Sequence, residues 1–426
     1  MQIHGANRYG ILLKIVQVMS DLDLIIFKSY ISSDGGWFMN SFYVTNPQGH
    51  KVRDSNLIKY MQESLNFAQK QKISCGPTQA KISNGNIVTV DHCGSNCASL
   101  EITFFDRPGI FFEIVSLLFE HSYFVEACDL WTYNGHVACI IYINEQDTGR
   151  PITGEDRLDY LRKYVVSILE AQHVTGETFM VGIQSPLNCQ IHVERRLHQL
   201  MKMYMDYDVK TLSLSIKCDQ SILATTKDAK KKFGGVVEGN MVCLPQVLME
   251  KWHDKDYLVL KVSSRDRPKL IFDVVCALTD LNYDIFHGSI CSQDVVIVQE
   301  YFVRRTDGCT ILNEIEKQNT LQSLIAAVEQ RTSHGLKMEI RTFDSHDLLS
   351  NVCRALRNNN LSLNNMKLSK ENGLAVGTFY ITDASSSTNA NDIDQQRLEA
   401  VRNEIGRDIF FEKNNDNNIS SPAHRI

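Results

Sequence analysis

The sequence contains no uninterrupted apolar run long enough to form a helix that crosses a bilayer. An apolar stretch from Ile11 to Met19 lies near the N-terminus, but Lys14 and Gln17 interrupt it. No small-residue cleavage site follows this stretch, so it does not have the pattern of an export signal. With 43% hydrophobic and 22% charged residues, the composition is typical of a soluble globular protein, and we expect no membrane partner.

An excess of basic charge is also absent. The chain has 44 Lys and Arg residues against 50 Asp and Glu residues, which gives a net charge of −6. This balance argues against nonspecific nucleic-acid binding as the main task, and we expect no nucleic-acid partner.

The 12 cysteines do not form the spacing pattern of a disulfide framework. They indicate reduced, mostly buried thiols, and we expect a cytoplasmic or nuclear protein. His92, Cys93 and Cys97 have a spacing compatible with half a zinc site, but no second pair lies close in sequence, so no metal is predicted. A nucleophile-and-base arrangement and a phosphate-binding loop are missing as well. We therefore predict that the protein is not an enzyme and carries no cofactor.

What the sequence does contain is one short pattern in four versions. Asp106-Arg107-Pro108-Gly109 follows a short apolar run and opens an amphipathic one, which predicts a strand, a tight turn and a helix. Versions of it lie 99 residues earlier and 160 and 238 residues later: Asn7-Arg8-Tyr9-Gly10, Asp266-Arg267-Pro268-Lys269 and Asp344-Ser345-His346-Asp347. The same offsets align four apolar helix positions, Ile15, Ile114, Val274 and Val352. The chain is therefore predicted to contain four copies of one unit.

Each copy continues with the pattern of a β-hairpin and a second helix. Two-residue turns are favoured at Gly35-Gly36, Asn134-Gly135 and Asn372-Gly373, with a poorer match at Asp294-Val295. Second helices are predicted near residues 54–70, 155–171, 312–331 and 392–405, and closing strands at 87–90, 178–183 and 408–411. The unit is thus β-α-β-β-α-β, an α+β fold whose antiparallel sheet carries both helices on one face. The closing strand of the third copy stays unassigned, and an upstream strand at Leu212, Leu214 and Ile216 is the alternative.

Three long stretches connect these copies with a known family. They are Tyr30 to Met39 (YISSDGGWFM), Glu194 to Gln199 (ERRLHQ) and Ser264 to Val275 (SRDRPKLIFDVV). Phe286-His287-Gly288 also fits. The unit resembles the ACT domain, a small ligand-sensing fold, and four copies resemble the plant ACT-domain repeat (ACR) proteins, related to the regulatory end of bacterial uridylyltransferases. The resemblance implies four ferredoxin-like ACT units.

On this basis the chain is predicted to divide into four repeats, one insertion and a tail. The ranges are 1–92 for repeat 1, 97–184 for repeat 2, 185–256 for the connecting insertion, 257–335 for repeat 3, 336–413 for repeat 4 and 414–426 for a mobile tail. In the insertion, Glu194-Arg195-Arg196 is interpreted as a solvated helical face, with a salt bridge between domains as the alternative.

Two copies depart from the family pattern. The first begins with Gln2-Ile3-His4-Gly5 where the family has a full apolar strand and an N-terminal extension. We therefore expect this unit to lack its first strand, either because the chain is a truncated or alternative product or because its first domain is damaged. In the fourth copy the carboxylate of Asp347 would repel an anionic ligand, so we expect that site to be dead.

In ACT domains an amino acid sits between two side-by-side copies, against the strand-to-helix turn. Helix N–H groups would hold its carboxylate, and an Asp or Asn side chain would take its ammonium. The resemblance therefore implies ligand-binding residues in three copies. They are Asp106, Arg107, Pro108 and Gly109 in the second, Asp266, Arg267, Pro268 and Lys269 in the third, and Asn7 and Gly10 in the first.

Three functions stay open at this point. The leading hypothesis is a non-enzymatic regulatory sensor that binds a free amino acid of unknown identity between copies and alters contact with an unknown protein partner. The alternative is a protein-interaction scaffold whose ACT domains have lost ligand binding, which Lys269 and Asp347 favour. An enzyme is the poorest hypothesis, because the copies occupy most of the chain. Self-association into a homo-oligomer is left open.

Overall fold

The computed structural model describes residues 1–34, 36–70, 80–83, 86–89, 96–174, 177–184, 192–204, 245–252, 256–293, 295–308, 313–331, 335–384, 393–406 and 409–412. The alternative strand at Leu212, Leu214 and Ile216, the tail at 414–426, and His92 and Cys93 lie outside these residues.

The second copy follows the predicted order of elements, and the first copy departs from it at its two ends. The first copy contains β1 (Gln2–Ala6), α1 (Ile11–Asp21), β2 (Ile25–Asp34), β3 (Trp37–Thr45), α2 (Ser55–Lys70), β4 (Ala80–Ser83) and β5 (Asn86–Thr89). The second contains β6 (Ala98–Phe105), α3 (Ile110–Glu120), β7 (Tyr123–Tyr133), β8 (His136–Glu145), α4 (Glu155–Ala171) and β9 (Met180–Gln184).

The insertion and the last two copies complete the described chain. The insertion contains α5 (Val193–Tyr204) and β10 (Gln246–Trp252). The third copy contains β11 (Tyr257–Arg265), α6 (Leu270–Asp280), β12 (Tyr283–Gln293), β13 (Val296–Arg305) and α7 (Glu314–Glu329). The fourth contains β14 (Leu336–Phe343), α8 (Leu348–Asn358), β15 (Leu361–Glu371), β16 (Leu374–Asp383), α9 (Gln395–Ile405) and β17 (Ile409–Glu412).

The copies pair out of sequence order, the first with the third and the second with the fourth. One sheet has the strand order β1-β3-β2-β12-β13-β11-β10, and the other has the order β17-β14-β16-β15-β7-β8-β6-β9. The junctions are antiparallel, with Tyr30 opposite Ser289 in the first sheet and Leu130 opposite Met366 in the second. Both junctions use the same strand of the unit, so each pair has the arrangement of a twofold symmetric dimer.

Alternation along the strands separates a helix-covered face from a second face. On β8, Cys139, Ile141 and Ile143 belong to the large core with α3 and α4. The intervening residues Ala138, Ile140 and Tyr142 belong to a smaller core with α5. The α+β class and the ACT-type units are thus confirmed, with α5 as an additional helix on the opposite face of the second copy.

Helix α5 lies between the second sheet and the helices of the first pair. Arg196 donates to both carboxylate oxygens of Glu101 on β6, at 2.9 and 2.7 Å. Arg195 pairs with Asp280 at the end of α6. Because Glu101 is only 2% exposed, the interpretation of this stretch as a solvated face was wrong, and the alternative of a salt bridge between domains describes it.

Two expectations about sheet edges need correction. A first strand is present in the first copy, because β1 pairs with β3 from Gln2 opposite Ser41 to Ala6 opposite Trp37. Strand pairing uses backbone groups, so a short run with a buried Ile3 is sufficient. The predicted closing strand near 87–90 corresponds to β5, which, among the described residues, pairs only with β4 in a separate two-stranded sheet. In the third copy, β10 takes the edge beside β11.

Candidate functional site

Pairing of the copies brings a strand-to-helix turn to the end of a helix from the partner copy. The Tyr9 hydroxyl donates to the Thr279 carbonyl near the end of α6, and the position of a Gly109 Cβ lies 3.8 Å from the side chain of Arg357 near the end of α8. The helices that follow the turns pack on each other, α1 on α6 and α3 on α8. These turns therefore lie at the interfaces between copies.

Three of the four turns place the residue before the helix in the left-handed region. The φ angles are 75° at Gly10, 95° at Gly109 and 64° at Lys269, whereas Asp347 has −99°. Glycine adopts a positive φ without strain and lysine does not. At Gly109 the missing side chain also keeps space open between the start of α3 and Arg357.

In three copies the first side chain of the turn is tied to a residue 26 positions further along the chain. The three pairs are Asn7 with Ser33 at 2.6 Å, Asp266 with Ser292, and Asp344 with Lys370 at 2.8 Å. The equivalent pair in the second copy is Asp106 and Thr132. Here the Thr132 Oγ1 atom is buried and has no hydrogen-bond partner among the residues that the structure describes, so this contact is not made.

Partial burial without this contact changes the chemistry of Asp106. Desolvation raises the pKa of its carboxyl to about 6. A cation placed next to a buried carboxylate favours the ionised form and lowers its pKa again. The carboxyl of Asp106 is therefore suited to a positively charged ligand group, which would replace the lost solvation.

Positive groups lie at the other side of the same turn. The N–H groups of Phe111 and Phe112, in the first turn of α3, have no acceptor within their own helix. The Arg357 guanidinium of the fourth copy lies 5.1 Å from the centre of the Phe112 ring. Helix N–H groups and a guanidinium both favour a carboxylate. This interface thus presents groups that favour an anion, and the Asp106 carboxyl lies in the same turn.

The other two predicted residues of this turn have structural contacts. The Arg107 Nη2 atom donates to Glu177 Oε1, just before β9, at 2.5 Å. Pro108 has the fixed φ that suits the approach to a helix. The structure therefore brings Gly109 to the copy interface, places Asp106 in the same turn, and engages Arg107 with its own domain.

The third turn is occupied by groups of the chain itself. Lys269 Nζ lies 2.7 Å from Glu194 Oε1 of α5, and Arg267 Nη1 lies 2.6 Å from Asp273 Oδ2. Arg267 also donates to the Val328 carbonyl at 2.7 Å. The polar side chains predicted to bind a ligand here thus all have internal partners, since Asp266 accepts from Ser292.

The fourth turn is closed by an ion-pair bridge. Lys370 Nζ lies 2.8 Å from Asp344 and 2.5 Å from Glu126 of the second copy. The recess beside this bridge has a cavity volume of about 10 Å³, which is room for about one water molecule. Asp347, expected to repel an anion, accepts a hydrogen bond from Asn351 at 2.7 Å.

The first turn is open but presents fewer available polar groups to a ligand than the second turn. No heavy atom of the described residues lies within 4 Å of the position that a Cβ on Gly10 would take. Its polar side chain, Asn7, is already bonded to Ser33. Copies 1 and 2 therefore differ in which polar groups are available to a ligand.

Sequence reasoning missed three residues of these turns. Thr132 was detectable, because it repeats the 26-residue spacing of the other copies. Arg357 and Glu194 come from different elements and reach the turns only through packing, for which the sequence gives no local signal.

Among the residues that the structure describes, no group of three or more His, Cys, Asp or Glu side chains could hold a metal ion. No helix in this part of the chain is long and apolar enough to cross a membrane.

Comparison with known proteins connects this geometry with a family. The profile of the ACR family N-terminal ACT domain matches residues 1–72. Three similar proteins from Arabidopsis thaliana are named ACT domain-containing proteins ACR4, ACR3 and ACR5. They are 36%, 36% and 34% identical over 100%, 97% and 96% of this chain, and the matches cover 86%, 84% and 83% of those proteins. The crystal structure of aspartate kinase from Synechocystis is similar over 95% of this chain and 53% of its own, with 10% identity and a TM-score of 0.16, too low to support an argument.

Paired βαββαβ units with their turns at the copy interfaces define an ACT-domain repeat protein. The relatives are named for this domain and not for a reaction. The chain belongs to the ACR family of ACT domain-containing proteins, and it is a regulatory ACT-domain protein.

Proposed function

We propose that this protein is a sensor that binds a free amino acid between its second and fourth copies. The ammonium lies against Asp106, and the carboxylate lies at the start of α3 near Arg357. The observation that carries this proposal is the missing side-chain contact in the second copy between the first residue of the turn and the residue 26 positions later. Asp106 is half-buried with a raised pKa, and the Thr132 hydroxyl has no hydrogen-bond partner among the described residues, whereas the other three copies satisfy the equivalent side chains internally.

The proposed ligand contacts both copies of one pair, so its binding can change the relative orientation of these two copies. Asp106 and the first turn of α3 belong to the second copy, and Arg357 belongs to the fourth. An amino acid that contacts both sides favours the orientation in which these groups are close. A change in this orientation would alter the surface presented to a protein partner, and the size of the effect depends on the difference in affinity between the two states.

Calorimetric titration with the twenty amino acids tests the proposal, using Gly109→Val and the matched control Gly10→Val. Both substitutions place a β-branched residue at a positive φ, so they carry similar backbone strain. Only the side chain at 109 enters the space beside Arg357. We expect Gly109→Val to weaken binding by at least about tenfold, which corresponds to about 1.4 kcal/mol, and Gly10→Val to bind as the native protein does. Loss of binding in both variants, or in neither, would contradict the proposal.

A second candidate function is a protein-interaction scaffold. The closed turns of the third and fourth copies favour it, because Glu194 engages Lys269 and Lys370 bridges Asp344 and Glu126. A scaffold of this kind predicts silent titrations with all twenty amino acids on folded protein. It also predicts a partner affinity that does not change when amino acids are added.

A further inference from the structure

We propose that the turn of the third copy is an anion site filled permanently by an internal ligand, the carboxylate of Glu194 on α5. The ligand class of this site is a carboxylate. The inference does not depend on the sensor function proposed for the second copy.

Two cations converge on the Glu194 carboxylate. Lys269 Nζ lies 2.7 Å from its Oε1 atom, and Arg331 Nη1 lies 3.2 Å from the same oxygen. Lys269 is the residue immediately before α6, at the place where the second copy has Gly109. The carboxylate thus comes to the turn that is equivalent to the proposed amino-acid site, with a lysine in place of the glycine.

The site is enclosed, as a ligand site requires. Glu194 is 8% exposed, and the Arg331 guanidinium lies 4.8 Å from the centre of the Trp131 ring on the second sheet. Burial opposes ionisation of Glu194, but Arg331 and Lys269 outweigh this effect and hold its pKa well below the ordinary value. The carboxylate is therefore charged in the interior, as a bound anion would be.

Neighbouring contacts of α5 fix the carboxylate in position. His198 Nε2, one turn further along α5, lies 2.8 Å from Asp273 Oδ1 of α6, and Arg195 pairs with Asp280. Asp273 in turn receives Arg331 Nη2 at 2.7 Å. Since these contacts anchor α5 next to Glu194, the internal ligand is held at high effective concentration. A free amino acid present at ordinary concentration does not displace it.

Chemical rescue tests this inference with sodium acetate, a carboxylate that has no ammonium group. In Glu194→Ala both cations lose the Glu194 carboxylate and a space opens, so we expect the melting temperature to fall by roughly 5 °C. Acetate should restore part of this loss with saturation, because it binds the folded state. Sodium chloride at the same ionic strength should not, and the native protein should not respond to acetate. If Glu194→Ala lacks folded structure, acetate but not chloride should restore the far-ultraviolet circular dichroism of the native protein.

Two further variants separate a site from a general salt effect. Glu194→Gln fills the same volume without charge, so it should lose stability without any response to acetate. Glu194→Ala combined with Lys269→Met should also lose the response, because one of the two cations is gone. Equal effects of acetate and chloride, or an equal acetate response in the native protein, would overturn the inference. These results do not bear on the second copy, because acetate lacks the ammonium that Asp106 requires.

Discussion

Asp106 offers a test in which stability and ligand binding are expected to change in opposite directions. Desolvation raises the pKa of its carboxyl from 3.8 to about 6. This rise corresponds to about 3 kcal/mol of lost stability when the group is ionised in both states. Because the folded protein ionises this group less readily than the unfolded chain, the loss is absent below about pH 4. It grows as the pH rises and is complete above about pH 6.

Replacing Asp106 with Asn removes the charge from this half-buried position. We expect the free energy of unfolding to increase by about 2 kcal/mol near neutral pH, less than the full electrostatic cost because the partly buried amide also needs hydrogen-bond partners. The difference from the native protein should vanish below about pH 4. The same variant should bind amino acids at least about tenfold more weakly, since a charged partner for the ammonium is lost. Urea unfolding at a series of pH values measures the first effect, and calorimetry measures the second.

Asp344→Asn in the fourth copy is the matched control. Asp344 occupies the equivalent position and lies 2.8 Å from Lys370, so its charge stabilises the fold. We expect this variant to lose about 1 kcal/mol, a modest amount because the pair is partly exposed. If Asp106→Asn also lowers stability near neutral pH, the Asp106 carboxylate is stabilised by a partner, and our reasoning about the second copy is refuted.

Arg196→Met should lower the free energy of unfolding by about 3–5 kcal/mol, because it leaves the buried Glu101 carboxylate unpaired. Adding Glu101→Leu should recover most of this loss in a double-mutant cycle by denaturant unfolding, and equal losses in the single and double variants would argue against a buried pair. The affinity of the native protein for its amino acid should fall about tenfold between about pH 7 and about pH 5, because Asp106, with a pKa of about 6, must be ionised to hold the ammonium. Calorimetry at constant ionic strength checks this, and an affinity that does not change with pH would contradict the assigned role of Asp106.

The repeated unit could be predicted from the sequence because each copy keeps its own apolar periodicity. Ile15, Ile114, Val274 and Val352, which the common offsets align, are all at most 1% exposed. Hairpin turns were marked by residue pairs that accept positive φ, such as Asn134-Gly135 and Asn372-Gly373. These signals are local, so they can be recognised in each copy without knowing which copy it pairs with.

The pairing of the first copy with the third, and of the second with the fourth, could not be predicted in this way. Strands β2 and β12, and strands β7 and β15, join through backbone hydrogen bonds, which any exposed strand edge offers. The missing first strand was expected because Gln2 and His4 are not apolar. These two residues are exposed, whereas Ile3 faces the core, so the alternation of a short edge strand was overlooked.

The residues of the candidate site also differ in whether the sequence alone reveals them. The turn from Asp106 to Gly109 was visible because its chemistry lies in four consecutive residues. Arg357 became part of the interface only because α8 packs on α3. Glu194 belongs to a stretch that matches the family pattern, yet its role at Lys269 depends on where α5 packs. Local chemistry is therefore readable from the sequence, whereas groups supplied by another element require the packed structure.

The most direct measurement is a crystal structure of the protein with the amino acid that calorimetry identifies. Our account predicts ligand density between the second and fourth copies, with the ammonium within hydrogen-bond distance of Asp106 and the carboxylate at the start of α3 beside Arg357. Glu194 should remain on Lys269 in the same crystal. Ligand bound at any other turn, with the space beside Gly109 empty, would contradict the account.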